Sequence, residues 1–108
     1  MATPYPKLVA SLTHMHDAWV VGSAADPGNE KPRDWDVMVP FSQWNAASQL
    51  IPKDAKPNTF GGWKVKTEEG DEIDVWPGEL GVLMQNAKAR YAWHVRTGTR
   101  LLVQRDSQ

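Results

Sequence analysis

Asp34 and Asp36 stand two apart in the run Asp34-Trp35-Asp36-Val37-Met38-Val39. A strand with this sequence carries both carboxylates on one face and turns Trp35, Val37 and Val39 to the other. Charge inside an apolar strand is unusual, yet a second case follows at Ile73-Asp74-Val75-Trp76. Where the two strands lie side by side in one sheet, Asp34, Asp36 and Asp74 converge. Three carboxylates that close repel one another until a cation neutralises them. Hard oxygen ligands suit Mg²⁺ or Mn²⁺, so these residues predict a divalent-metal site. Asp71 and Glu72 stand near enough to Asp74 to take its place as the third ligand.

Gly22 and Ser23 add a third element. They end the short apolar run Ala18-Trp19-Val20-Val21 and precede Asp34 by ten intervening residues. Glycine lets a ligand approach the backbone closely and serine supplies a hydroxyl, so this turn is a candidate phosphate contact.

An apolar strand ending in Gly-Ser, a loop of about ten residues, Asp-x-Asp among apolar neighbours and a third acid on a later strand resemble the polymerase β-like nucleotidyltransferase superfamily. In size the chain is similar to its minimal members. The resemblance spans residues 8–76 and implies an α+β fold in which a mixed β-sheet packs against helices. It implies that Asp34, Asp36 and Asp74 are catalytic and hold the metal ions, with Asp74 also helping to deprotonate an acceptor hydroxyl. Gly22 and Ser23 would contact the β- and γ-phosphates of a nucleoside triphosphate such as ATP. The implied reaction is in-line attack on the α-phosphate with pyrophosphate leaving, the two metals stabilising the entering and departing oxygens.

By the resemblance, the acceptor would be a hydroxyl on a protein, RNA or small molecule. Larger members grip it with a helical domain that has no counterpart in these 108 residues, so loops, a second copy in a homodimer or a helical partner protein would do so here. The chain departs from many relatives in having Ala24-Ala25-Asp26 where a basic residue often follows the Gly-Ser. Asp26 beside a triphosphate would weaken phosphate affinity, and Arg33, Lys31 and Lys64 are the cations available to offset it. This departure supports a rival expectation, a catalytically inactive nucleotidyltransferase-fold module that regulates or inhibits a partner protein.

The elements that position these residues follow from periodicity and turn chemistry. Thr3 and Pro4 predict a helix start, with Leu8, Leu12 and Met15 on one face. Residues 18–21 and 34–39 read as strands around a Pro- and Gly-containing loop. Ser42 is a candidate cap for a helix burying Trp44, Ala47, Leu50 and Ile51. Residues 52–58 read as a polar loop. Strands over 60–66 and 72–76 form a hairpin about the turn at 68–71. Leu80, Leu83, Met84, Ala87 and Tyr91 then repeat as a helical stripe, and Thr97-Gly98-Thr99 turns into a last strand at 101–103. The predicted order is helix, strand, strand, helix, strand, strand, helix, strand.

Composition narrows the function classes. Leu, Ile, Val and Phe make up 21 of 108 residues, few for a globular chain, but six Trp and a net charge of only -1 favour folding. A chain of this length supports one core, predicting a single domain over residues 1–108. The absence of cysteine excludes disulfides, thiolate-bound zinc and thiol catalysis. No apolar window approaches a membrane span, and the expectation is a cytoplasmic protein with no membrane partner. The six Trp read mainly as core. His94, close in sequence to Arg90, Arg96 and Arg100, reads as a core-edge residue or an anion contact.

Overall fold

The nine residues Lys7–Met15 wind into α1, whose first bond runs from the Ala10 N–H to the Pro6 carbonyl at 3.0 Å. Its buried face is Val9, Leu12 and Thr13, and the Thr13 hydroxyl donates to the Val9 carbonyl at 2.7 Å. The buried face is thus offset from the predicted stripe: Leu12 is on it, Leu8 is half-buried and Met15 is exposed. Asp17, at φ +52, turns the chain into the sheet.

The computed structural model describes residues 5–81 and 91–102. The strands that follow α1 are β1 (Trp19–Val21) and β2 (Asp34–Val39). Next comes α2 (Trp44–Ala47), set between 3₁₀ turns at Phe41–Gln43 and Ser48–Leu50. The remaining strands are β3 (Lys56–Pro57), β4 (Trp63–Lys66), β5 (Glu72–Pro77), β6 (Tyr91–His94) and β7 (Thr99–Leu102). Among the described residues they make one seven-stranded mixed sheet in the order β3-β4-β5-β2-β1-β6-β7, with α1 and α2 as its helices. The fold is α+β, a mixed sheet with two helices, which is the class expected for this chain.

One pairing in this sheet is parallel, β2 with β5, and the rest are antiparallel. A parallel neighbour needs a long crossover, here the chain from Pro40 through α2, β3 and β4. The β4–β5 hairpin closes on Gly70 at φ +94, with the Thr67 hydroxyl accepting from the Asp71 N–H at 3.0 Å. Arg33 donates to the carbonyls of Glu69 and Gly70, tying that turn to the start of β2.

The sheet has two unlike faces. Toward the helices, Trp35, Val37, Val39, Ile73, Val75, Val65 and Val20 pack with Val9, Leu12, Ala24, Ala25 and Ala47 into the main core. On the other face a smaller cluster of Val21 and Ala92, with Trp19, Trp76 and Leu80 against it, covers only part of the sheet. The acidic residues of β2 and β5 lie on that second face, with Lys64 of β4 across from Asp74.

Several expected elements differ. Residues 52–58 contain β3, which pairs with β4 through Lys56↔Lys64 and Pro57↔Trp63. Tyr91 belongs to β6 rather than to a helix, held there by pairing with Leu102. The expected helix starting at Leu80 is helical at residues 80–81, and residues 82–90 lie outside the described residues, as do Thr3 and Pro4. The last strand begins at Thr99, two residues early. Ser42 does not cap α2; the Glu79 carboxylate instead accepts from the Phe41 N–H at 2.8 Å. Among the described residues no helix is long and apolar enough to cross a membrane.

Candidate active site

β2 places Asp34 and Asp36 on the half-open face while Trp35 is buried among the core residues on the other, as pleat alternation requires. The parallel register sets Asp36 opposite Asp74 and Asp34 opposite Glu72. Neighbouring strands lie about 4.8 Å apart, so these four acids share one small patch. Of the two alternatives to Asp74, Glu72 lies on the same face two residues before it. Asp71 precedes β5 in the turn.

Asp36 is at the centre and shows the strain of this arrangement. Its carboxyl is pushed up from 3.8 to about 6, first by burial, then by the charges of Asp74 and Asp34, with Lys64 partly offsetting them. Its Oδ2 leans over Gly22 at the end of β1, whose φ is +76. A Cβ on Gly22 would sit 2.6 Å from that oxygen. Gly22→Ala is therefore expected to cost about 2 kcal/mol, from left-handed backbone strain and displacement of the Asp36 carboxylate. Chemical denaturation measures the cost, and a loss under about 0.5 kcal/mol would contradict the close approach.

Asp74 is held differently. Its Oδ1 accepts a hydrogen bond from Asn58 Nδ2 at 3.1 Å, and Lys64 Nζ lies 3.9 Å from its Oδ2 and 3.6 Å from Glu72 Oε1. Lys64 is directly across the β4–β5 pair from Asp74, so one cation serves two acids while Asp34 and Asp36 share none at bonding distance among the described ion pairs. Among the described residues no three Asp, Glu, His or Cys side chains close around a point where an ion would sit. Mg²⁺ is commonly held by one or two carboxylates completed by water and substrate phosphates. The hard-oxygen pair Asp34 and Asp36, with its excess negative charge, fits that mode, and Asp74 stands beside it on the neighbouring strand.

Ser23 is exposed and begins the short 3₁₀ turn Gly22–Ala25 with Gly22, next to Asp36. Asp26 does not intrude on this site. Its Oδ1 accepts the Gly28 N–H at 2.8 Å within a turn. It also lines a cleft of about 150 Å³ with Tyr5, Trp35 and Trp93, on the helix side of the sheet. Of the cations expected to offset it, Arg33 is spent on the 67–71 turn and Lys64 on the acidic patch.

His94 is a core-edge residue. Buried, it places Nε2 3.4 Å from Asp17 Oδ1 and Nδ1 2.9 Å from the Thr97 hydroxyl, while Arg96 bonds the same Asp17 carboxylate. Arg100 lies over the Trp93 ring at 4.6 Å. Neither cation reaches the acidic patch.

Sequence reasoning missed Asn58 and Phe60. Asn58 uses all of its amide: Oδ1 accepts from the N–H groups of Phe60 and Gly62, and Nδ2 donates to the Trp63 carbonyl and to Asp74. An Asn three residues before Gly61-Gly62, ahead of a strand, was the available signal for a side-chain-built turn.

Set against models of protein families, curated proteins and solved structures, the chain matches none.

Proposed function

We propose that this chain is a nucleotidyltransferase that uses Mg²⁺ or Mn²⁺ to transfer a nucleoside monophosphate from a nucleoside triphosphate to a hydroxyl acceptor. The observation that carries the reading is the side-by-side placement of Asp36 and Asp74 on parallel strands, with Asp34 on the same face and Gly22 pressed against the Asp36 carboxylate. The reading is supported by the nearness of these acids to the Gly22 turn on one face of the sheet.

In this reading Asp34 and Asp36 hold the metal, which supplies Lewis acidity at the α-phosphate and counter-charge for the departing pyrophosphate. Gly22 lets the phosphates lie close to the β1 terminus, with the Ser23 hydroxyl beside them. Asp74, opposite Asp36, accepts the proton of the attacking hydroxyl, and the neighbouring Lys64 and Asn58 hold its carboxylate in place. The phosphates enter a patch with four acids and one paired lysine, so the divalent ion must precede or accompany the nucleotide.

The Lys64 ammonium among the acids is the observation that favours the second reading, a non-catalytic module whose charged face docks on a partner protein. Backbone NMR separates the two. Mg²⁺ followed by a non-hydrolysable nucleoside triphosphate is expected to shift Gly22, Ser23, Asp34, Asp36 and Asp74 together, with the response lost in Asp34→Asn. No shift at millimolar ligand would discard the transferase and leave the docking module.

A further inference from the structure

Beside the acids, on the same face, stands an aromatic pair that the proposed chemistry does not use. Trp76 follows Asp74 by two residues on β5 and so shares its face. Phe60, 53% exposed, packs on it with ring centroids 4.9 Å apart and planes tilted by 34°. An exposed phenylalanine on a loop is ordinary by itself, but this loop is built. The Asn58 amide bonds both the Phe60 and Gly62 N–H groups, and the Asn58 N–H donates to the Gly62 carbonyl at 3.1 Å. The same amide donates to Asp74. Gly62 lies flat on β5, where a Cβ would overlap the Val75 carbonyl oxygen. Phe60 is therefore held near Asp74, with its ring tilted against Trp76 and much of its surface open.

We infer that Phe60, backed by Trp76 and anchored through Asn58 to Asp74, is the stacking platform for the base of the bound nucleoside triphosphate. The inference rests on the nucleotidyltransferase reading and adds what that reading leaves open, the part of the substrate beyond its phosphates. Trp76 is one strand across from Asp36 and two residues further along, an offset of roughly 8 Å from strand spacing and rise. In this inference the ribose lies over that stretch, between an α-phosphate at Asp36 and a base on the Phe60 ring, whose centroid sits 4.9 Å from that of the Trp76 ring. Acid chains line the near side of the platform and repel a second phosphate chain, so a base, neutral and flat, is the part of the substrate that fits. Stacking on one ring grades ligands by the area of their π-face and reads no hydrogen-bond pattern. The platform thus favours purine over pyrimidine nucleotides and separates adenine from guanine poorly.

Calorimetric titration with Mg²⁺ present tests this on wild type, Phe60→Ala and Phe60→Trp, using a non-hydrolysable ATP analogue, the matching CTP analogue and inorganic triphosphate. Phe60→Ala is expected to weaken the ATP analogue by about tenfold, the CTP analogue by less, and inorganic triphosphate not at all, with Phe60→Trp restoring the loss. Equal affinity of wild type and Phe60→Ala for the ATP analogue, with triphosphate still bound, overturns the platform and leaves the phosphate and metal site standing. A wild type that binds neither nucleotide nor triphosphate overturns the transferase reading and the platform with it. Phe60 is exposed, so its variants test contact rather than folding; matched thermal melts confirm this.

Discussion

Asp36→Asn is expected to do two opposite things, abolishing metal-dependent transfer while making the metal-free protein more stable at neutral pH. The first effect follows from removing the central carboxylate of the proposed metal site, and a loss on the order of a thousandfold is expected for a group stabilising charge in the transition state. The second follows from the raised pKa. A carboxyl whose folded value is about 6 against an ordinary 3.8 binds more protons folded than unfolded between those values. Stability therefore falls as pH rises from about 4 to 6, and above 6 the folded protein carries the full penalty. Two pKa units correspond to about 3 kcal/mol; partial exposure of the group reduces this to roughly 1–2 kcal/mol.

Thermal melts in chelator are the measurement. The asparagine variant is expected to melt about 4–10 °C above wild type at pH 7 and level with it at pH 4. Adding Mg²⁺ is expected to raise the wild-type melting temperature and leave the variant unchanged, because only a bound ion stabilises by mass action. A variant less stable than wild type at pH 7 without metal would show that Asp36 is satisfied in the folded protein. The site would then have no unbalanced charge to offer a cation.

The two faces of β2 were readable from the alternation of Asp34, Trp35, Asp36 and Val37, because strand period is a local property. The register between β2 and β5 was not. It is set by a crossover of more than thirty residues, and shifting β5 by one position would have turned Asp74 into the core. Trp76, Asp74 and Glu72 share a face for the same reason, yet Glu72 reads from sequence only as a substitute for Asp74. The structure makes it a fourth acid, paired with Lys64. The place of Lys64 depends on the β4–β5 hairpin register, so its charge could be listed but not located. Tyr91 misled because it continues a genuine helical spacing, whereas its partner Leu102 lies eleven residues further on in β7. Asp26 misled in the other direction: proximity in sequence to Ser23 suggested a charge near phosphate, but a local turn and the far side of the sheet claim it.

Gly62→Ala is expected to be the most destabilising single methyl in this chain among the glycines described here, and its neighbour shows why glycine content alone does not predict such costs. Gly61 has φ +88 and open space around it, so Gly61→Ala meets only backbone strain, about 1–2 kcal/mol. At Gly62 the added Cβ overlaps the Val75 carbonyl oxygen and crowds the Trp76 Cα, both backbone atoms of β5. Neither can rotate away as a side chain would, so the loop must lift off the sheet. Lifting it breaks the Asn58 bonds to the Phe60 and Gly62 N–H groups and pulls Asn58 from Asp74. A cost of about 3 kcal/mol or more follows, enough to lower the melting temperature by roughly 12 °C or more. The damage should also be directional. In protein that remains folded at low temperature, the Asp74 and Phe60 backbone resonances are expected to move while those of Gly22 and Ser23 stay in place, since the latter are joined to the patch through β1. A Gly62→Ala protein as stable as Gly61→Ala would show that the loop does not lie against β5, and Asp74 would then keep its position through Lys64 alone.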